Sequence, residues 1–265
     1  MTALAYWHVD AFASRPFSGN QAAVIELESW LPDELLLAIA AENMFADTAF
    51  MLRDASGEAD WELRWFSPAL EVELCGHATL ASGHVLLTRE SGAQVSFRTR
   101  KSGILEVRRM DEGYEMALPA TRVAPRRNEA LLAALGCAGE VFESVPGAGS
   151  TAIVLLESEQ ALRALRPEMD ALADMRTMAI CTAPGTQTDI VSRVFVPAWG
   201  VDEDSATGSA HAALAPFWAD RLGRDSFSAY QASPRGGELT CRLDGERAWI
   251  GGQCVTVVEG TFRLP

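Results

Sequence analysis

Blocks of this sequence recur in the same order at a spacing near 130 residues, and that duplication constrains the fold more than any other feature. Gly19-Asn20-Gln21-Ala22-Ala23-Val24-Ile25 aligns with Gly149-Ser150-Thr151-Ala152-Ile153-Val154-Leu155, 130 positions on. Phe66-Ser67-Pro68-Ala69 with Val72 aligns with Phe195-Val196-Pro197-Ala198 with Val201, 129 positions on. After a three-residue insertion, Gly76 and Ala78 align with Gly208 and Ala210, 132 positions on. Three blocks in one order predict two pseudo-symmetric halves, each with a strand, a Phe-x-Pro-Ala turn and a helix opened by glycine. The helices from Gly76 to about Thr88 and from Gly208 to about Ala219 are apolar or small on every side, so each belongs inside its half.

Short alternating or apolar runs read as strands: Ala22 to Glu28, Trp61 to Phe66, Ile104 to Arg109, Tyr114 to Leu118, Ile190 to Val196 and Cys254 to Val258. The expected class is α+β, with each half a curled, mostly antiparallel sheet wrapped round its own helix. The expected domains are 1–118, joined by a returning strand at about 259–265, and 119–258, with the junction near Pro119 to Pro125. Three peripheral helices are marked by their ends. Pro32-Asp33-Glu34 opens one that runs to about Asn43, Gly136 closes one from Arg127 to Leu135, and Ser158 caps one that Pro167 interrupts.

Charge and cysteine usage exclude several function classes. Lys and Arg number 22 against 36 Asp and Glu, a net charge of -14, so nucleic acid and anionic membrane surfaces are repelled. The amino terminus lacks a basic segment leading into an apolar one, and the longest apolar run, Leu35 to Ala41, is far short of the ~20 residues that span a bilayer. A cytoplasmic protein is expected. Five cysteines without a CxxC pair argue against a disulfide framework and against a zinc site, and read as free thiols.

The site candidates gather at the two glycine-opened helices. Their first N–H groups lack intrahelical partners, and glycine lets a ligand approach the backbone, so Gly76 and Gly208 suit a carboxylate; the alternative is that both merely permit tight turns. His77, in the first helical turn, is either a satisfied structural group or a neutral imidazole able to donate and accept. Ser209 holds the matching position in the other half. Asp204 stands just before the second helix, in DEDSATGS, where three crowded acids either charge the helix terminus or push one carboxyl toward acid/base work. Asp47, in FADTAF, is a carboxylate between strand-like apolar residues. Edge-strand protection and catalysis are both open to it.

VDAFASRPFSGNQAAV, the stretch Asp47 to Phe50, RWFSPALEVELCGHATLASGHVL and VFVPAWGVDEDSATGSAHAAL together resemble the PhzF-like family of phenazine-biosynthesis isomerases. The resemblance runs nearly end to end. It implies the diaminopimelate-epimerase-like fold with the active site between its two domains, a biosynthetic role, a homodimer, and no metal or organic cofactor. It further implies an isomerase that moves a proton on one face of a small, unsaturated, cyclic carboxylate. Asp47 stands where the family has an acid/base glutamate, His77 matches its active-site histidine and Asp204 its second-domain aspartate. Gly76, Gly208 and Ser209 match the groups that cradle the substrate carboxylate.

One methylene fewer at Asp47 pulls the carboxylate back by about 1.5 Å, and a misplacement of about 1 Å can cost on the order of a hundredfold in rate. Epimerases of this fold use one thiol from each half. Here Cys75 has Thr207 as its counterpart, too weak an acid and base for that role, which disfavours the two-base route and leaves Cys75 as a small apolar packing residue. A two-base epimerase using Cys75 and a non-catalytic ligand-binding protein remain the alternatives.

Overall fold

A computed structural model describes residues 2–144 and 150–264; Gly149, which opens the second copy of the first repeated block, lies outside the described residues. The chain forms two compact units, Met1–Ala117 with Gly251–Pro265, and Leu118–Ile250. The first begins with β1 (Thr2–Ala11), β2 (Asn20–Leu27), α1 (Asp33–Asn43), β3 (Asp47–Arg53), β4 (Trp61–Phe66), β5 (Glu71–Val72), α2 (Gly76–Arg89), β6 (Gln94–Thr99), β7 (Ile104–Arg109) and β8 (Tyr114–Pro119). The second holds β9 (Val123–Pro125), α3 (Glu129–Leu135), β10 (Glu140–Ser144), β11 (Thr151–Leu155), α4 (Glu159–Ala164), α5 (Met169–Met175), β12 (Met178–Pro184), β13 (Ile190–Val196), β14 (Val201–Asp204), α6 (Gly208–Leu222), β15 (Ser226–Gln231), β16 (Gly237–Asp244) and β17 (Arg247–Gly252). The last strand, β18 (Cys254–Leu264), belongs to the first unit.

The returning segment starts earlier than 259 because β18 pairs with β1 along its whole length, from Ala11 with Cys254 to Thr2 with Leu264. A bulge between His8 and Val9 absorbs the one register shift. Cys254 to Val258 therefore joins the first unit and not the second.

The pairing scheme of one unit repeats in the other. In the first, β2 runs parallel to β3, β3 antiparallel to β4, β4 antiparallel to β5 and parallel to β6, and β6 antiparallel to β7. In the second, β11 runs parallel to β12, β12 antiparallel to β13, β13 antiparallel to β14 and parallel to β15, and β15 antiparallel to β16. α2 and α6 occupy the same place in these schemes, after β5 and after β14.

Strand β1 to β3, β6, β7 and β18 all touch α2, so the first sheet curls round it. A helix enclosed in this way has no solvent face to carry charge. From Gly76 to Leu87 every residue except His84 is buried, and the polar ones bond inward, Thr79 Oγ1 to the Cys75 carbonyl at 2.6 Å and Ser82 Oγ to that of Ala78 at 2.8 Å. Gly83 is required where β7 crosses the helix, since a Cβ there would lie 2.4 Å from Val107 Cγ1. α6 is buried from Ala210 to Ala219 and contains Pro216. Proline cannot donate to the carbonyl four residues back, and that carbonyl, of Ala212, instead accepts from the Thr121 N–H at 3.2 Å. Among the described residues no helix is long and apolar enough to cross a membrane.

Candidate active-site groups

Asp47, Cys75 and His77 meet in the first unit. Asp47 opens β3, Cys75 is the residue capping α2, and His77 lies in its first turn. The Cys75 thiol donates to Asp47 Oδ2 at 3.1 Å, and His77 Nε2 lies 3.8 Å from the same oxygen. His77 Nδ1 is 3.5 Å from Cys75 Sγ and 3.3 Å from Asn20 Nδ2. His77 and Cys75 are buried, and the Asp47 side chain keeps 15% of its exposure. Cys75 thus departs from the expected apolar packing role, because the carboxylate beside it gives its proton a strong acceptor.

Edge protection does not account for Asp47. β3 is flanked on one side by β2, with Ala22 opposite Asp47, and on the other by β4. Tight turns do not account for the two glycines either. Gly76 and Gly208 are the first residues of α2 and α6, and neither is among the glycines with positive φ. The N–H groups at each helix start have no carbonyl four residues back, and point out of the helix.

In the second unit, Asp204 ends β14, ahead of Thr207, the residue capping α6. Its Oδ2 accepts from Thr207 Oγ1 at 2.5 Å and its Oδ1 from the Ser205 N–H at 2.9 Å. Gln231, on β15, locks this corner: its Oε1 accepts from the Thr207 N–H at 2.8 Å, and its Nε2 donates to the Asp204 carbonyl at 2.7 Å. Ser209 is half-buried at the α6 start. The acids of DEDSATGS do not share one environment. Glu203 is taken by Arg193 in two hydrogen bonds of 2.8 Å, Asp202 is exposed, and Asp204 bonds its own loop.

Two participants carried no recognised signal in the sequence. Asn20 follows Gly19, whose φ of +64° and whose missing Cβ, which would sit 2.1 Å from the Ala11 carbonyl oxygen, bring β2 in at the angle that aims Asn20 at His77. The glycine of the repeat was visible, but not the target of its neighbour. Gln231 sits 24 residues beyond Thr207 on another strand, and only pairing brings it there. The other thiols lie apart from this chemistry. Burial, opposed by a backbone hydrogen bond at Phe12 and reinforced by Asp10, pushes the Cys254 thiol up to about 12, and burial is the main cause that raises those of Cys181 and Cys241 well above the ordinary value, so they stay protonated. All five cysteines are free.

The donor atoms of Asp47, Cys75 and His77 all lie within 4.8 Å of one another, a spacing a metal ion could bridge. The absence of a CxxC pair therefore did not settle the question of metal ligation, since a mixed set assembled from two elements escapes that pattern.

A family model described as phenazine biosynthesis-like protein matches residues 9–260. An uncharacterized isomerase of Pseudomonas aeruginosa is 49% identical over 98% of this chain and 99% of its own length. The crystal structure of a PhzF-family phenazine biosynthesis protein from Enterococcus faecalis is 37% identical, covers 99% of this chain and 100% of that one, and superposes with a TM-score of 0.92. A hydroxyproline epimerase from Agrobacterium vitis, 12% identical over 98% of this chain and 92% of its own, reaches a TM-score of 0.66, which shows a shared epimerase fold alone. With the duplicated sheet-and-helix units, these likenesses make the chain an isomerase that belongs to the phenazine biosynthesis-like protein family.

Proposed function

We propose that the protein catalyses a cofactor-independent proton shift on one face of a small, unsaturated, cyclic carboxylate, with Asp47 as the acid/base. The observation that carries this is the placement of Asp47: a carboxylate at the mouth of a buried helix, in an interior strand, with an imidazole at 3.8 Å and a thiol at 3.1 Å. His77 is the group that orients and stabilises charge beside it. Gly76, and in the second unit Gly208 and Ser209, take the substrate-binding role through N–H groups at helix starts, which favour an anion despite the net charge of the chain. Asp204, held by Thr207, is the second-unit acid of the reaction. The same reading carries a cytoplasmic homodimer; sedimentation of the purified protein tests the dimer, and cell fractionation the location.

The Cys75 contact with Asp47 favours a second reading, in which the thiol carries the proton and the reaction is an epimerisation. The two separate in deuterated water. Candidate cyclic acids incubated with the enzyme gain label at a shifted position if the double bond moves, and at one stereocentre if a centre is inverted. Absence of label with retained binding supports a ligand-binding protein and removes both catalytic readings. Thiol alkylation abolishes turnover in the second reading and slows it only by obstruction in the first.

A further inference from the structure

We propose that Asp47, Cys75 and His77 form a three-ligand site for a divalent cation of the zinc type, and that its occupancy turns the enzyme off. The inhibitory part rests on Asp47 as the acid/base; the site itself does not. Cys75 Sγ lies 3.1 Å from Asp47 Oδ2 and 3.9 Å from His77 Nε2, and Nε2 lies 3.8 Å from Oδ2. A tetrahedral zinc ion, with bonds of about 2.3 Å to sulfur and about 2.0 to 2.1 Å to nitrogen and oxygen, separates such ligands by about 3.3 to 3.6 Å. Each pair stands within about half an ångström of that spacing, so side-chain rotation alone closes the triangle.

The surroundings fit a metal site in two respects. Asn20 faces His77 Nδ1 at 3.3 Å. It is the amide Nδ2 that stands there, donating to Nδ1, so binding at Nε2 requires the amide to turn over; its oxygen then accepts from an Nδ1 proton and Nε2 presents its lone pair to the ion, the usual outer-shell arrangement of a metal-bound histidine. Cys75 caps α2, where the helix start stabilises a thiolate. The same positive end disfavours a bare cation, and the thiolate and carboxylate offset it with two negative charges.

Binding balances simply: the ion enters, the Cys75 thiol releases one proton, and sulfur, imidazole nitrogen and carboxylate oxygen each donate a lone pair. Three protein ligands leave a fourth position for water. Thiolate and imidazole select zinc, cobalt or cadmium over magnesium and calcium. Once bound, the ion holds the lone pair with which Asp47 takes a proton, so turnover stops.

Cobalt(II) is the probe. The full-length protein, treated with a chelator and then titrated, is expected to bind one equivalent, with a thiolate-to-cobalt charge-transfer band in the near ultraviolet and intense tetrahedral bands in the visible. Zinc displaces it and a hundredfold excess of magnesium does not. Cys75→Ser loses the charge-transfer band, and His77→Gln and Asp47→Asn each weaken binding at least tenfold, with circular dichroism confirming that each variant is folded. A missing band, or one that survives Cys75→Ser because Cys137 or Cys254 supplies the sulfur, overturns the site. Zinc is expected to abolish turnover, and chelator to restore it. Full binding with undiminished turnover leaves the site standing and overturns both the inhibition and the acid/base role of Asp47.

Discussion

In the first unit Arg64 of β4 grips Glu71 of β5 with two hydrogen bonds, at 2.7 and 2.9 Å; in the second, Arg193 of β13 grips Glu203 of β14 with two at 2.8 Å. Each guanidinium also lies over the phenylalanine two residues on, Phe66 at 5.0 Å and Phe195 at 4.9 Å. The side chain at the fourth position of each central helix bonds back to the carbonyl of the capping residue, Thr79 to Cys75 in one and His211 to Thr207 in the other. The frame of the duplication is thus kept down to single contacts. At the helix mouths the units differ. Cys75 faces Thr207 in the correspondence, His77 faces Ser209, and Asp47, opposite Ala22, has as its counterpart Met178, opposite Thr151. At these three positions the first unit holds a thiol, an imidazole and a carboxylate and the second two hydroxyls and a thioether, while the carboxylate of the second unit, Asp204, stands elsewhere, on Thr207; duplication of a fold has not duplicated its chemistry.

Pairing also corrects two alignments. Thr48 faces Phe66 as Ala179 faces Phe195, so Asp47 corresponds to Met178, and its neighbour Ala22 to Thr151 and not to Ala152. Trp65 faces Val72 across β4 and β5, as Val194 faces Asp204 across β13 and β14, so the counterpart of Val72 is Asp204 and not Val201. The three extra residues fall in the turn between β13 and β14, where a short 3-10 turn at Pro197–Trp199 and a register shift after Phe195 accommodate them. Asp204 is therefore an acid that only the second unit acquired.

The largest expected effect tests that functional asymmetry. Asp47→Asn should lower turnover by about a hundred- to ten-thousand-fold, the range of general acid/base groups, with ligand affinity retained. Asp47→Glu sharpens it by lengthening the arm. Its activity on a typical substrate of the family rises if the pocket is otherwise standard and falls if the pocket has adapted to the shorter side chain. If Asp47→Asn keeps full activity, the first unit loses its assigned role and Asp204 becomes the residue to test.

Next in size is the duplicated ion pair. Removing one partner of a buried pair costs about 3 to 5 kcal/mol. Arg193 and Glu203 are each 12% exposed, and among the described residues no second carboxylate forms an ion pair with Arg193, whose Nη1 bonds the carbonyls of Leu162 and Leu165. Arg64 keeps Asp33 at 2.8 Å when Glu71 is lost. Glu203→Gln should therefore lower the free energy of unfolding in urea more than Glu71→Gln; equal losses would show that Asp33 does not compensate.

A pH series distinguishes the units again. Burial, opposed by the bond to the Thr207 carbonyl, holds His211 well below its ordinary value, at about 4, whereas Thr79 at the matching place does not titrate. The unfolded chain takes up this proton as pH falls through about 6.5, the ordinary value, and the folded one only near 4. Stability is therefore lost progressively between those limits, by about 3 kcal/mol from this group. His84, lowered to about 4 by burial and by Arg109, adds to the slope from the first unit. His211→Thr, which copies the first unit, should flatten the dependence of urea midpoint on pH over that window, whatever it does to the midpoint itself.

The smallest effect concerns the central helices. Gly83 of α2 corresponds to Ala215 of α6. Gly83→Ala should destabilise by about 1 to 3 kcal/mol through overpacking against Val107, and Ala215→Gly by about 1 kcal/mol through helix propensity. Thermal melting that rises for Gly83→Ala would show that β7 yields to the added methyl.

The sequence by itself determined the duplication, the two buried helices and the boundaries of the elements with the clearest periodicity or end signals, because these are local properties. Trp61 to Phe66, Ile104 to Arg109 and Ile190 to Val196 are strands over the spans their patterns predict, and Ser158 and Gly136 stand at a helix start and a helix end. Pairing is not local, so other features became visible only in the tertiary structure. Strand pairing sets β3, which Asp47 opens, inside the sheet and not at its edge, joins residues 254–258 to the first unit, and brings Asn20 to His77 from 57 positions away. The same holds for Cys75. Its composition class suggested a small apolar filler, but a thiol takes its character from its nearest acceptor, and the fold placed a carboxylate 3.1 Å away.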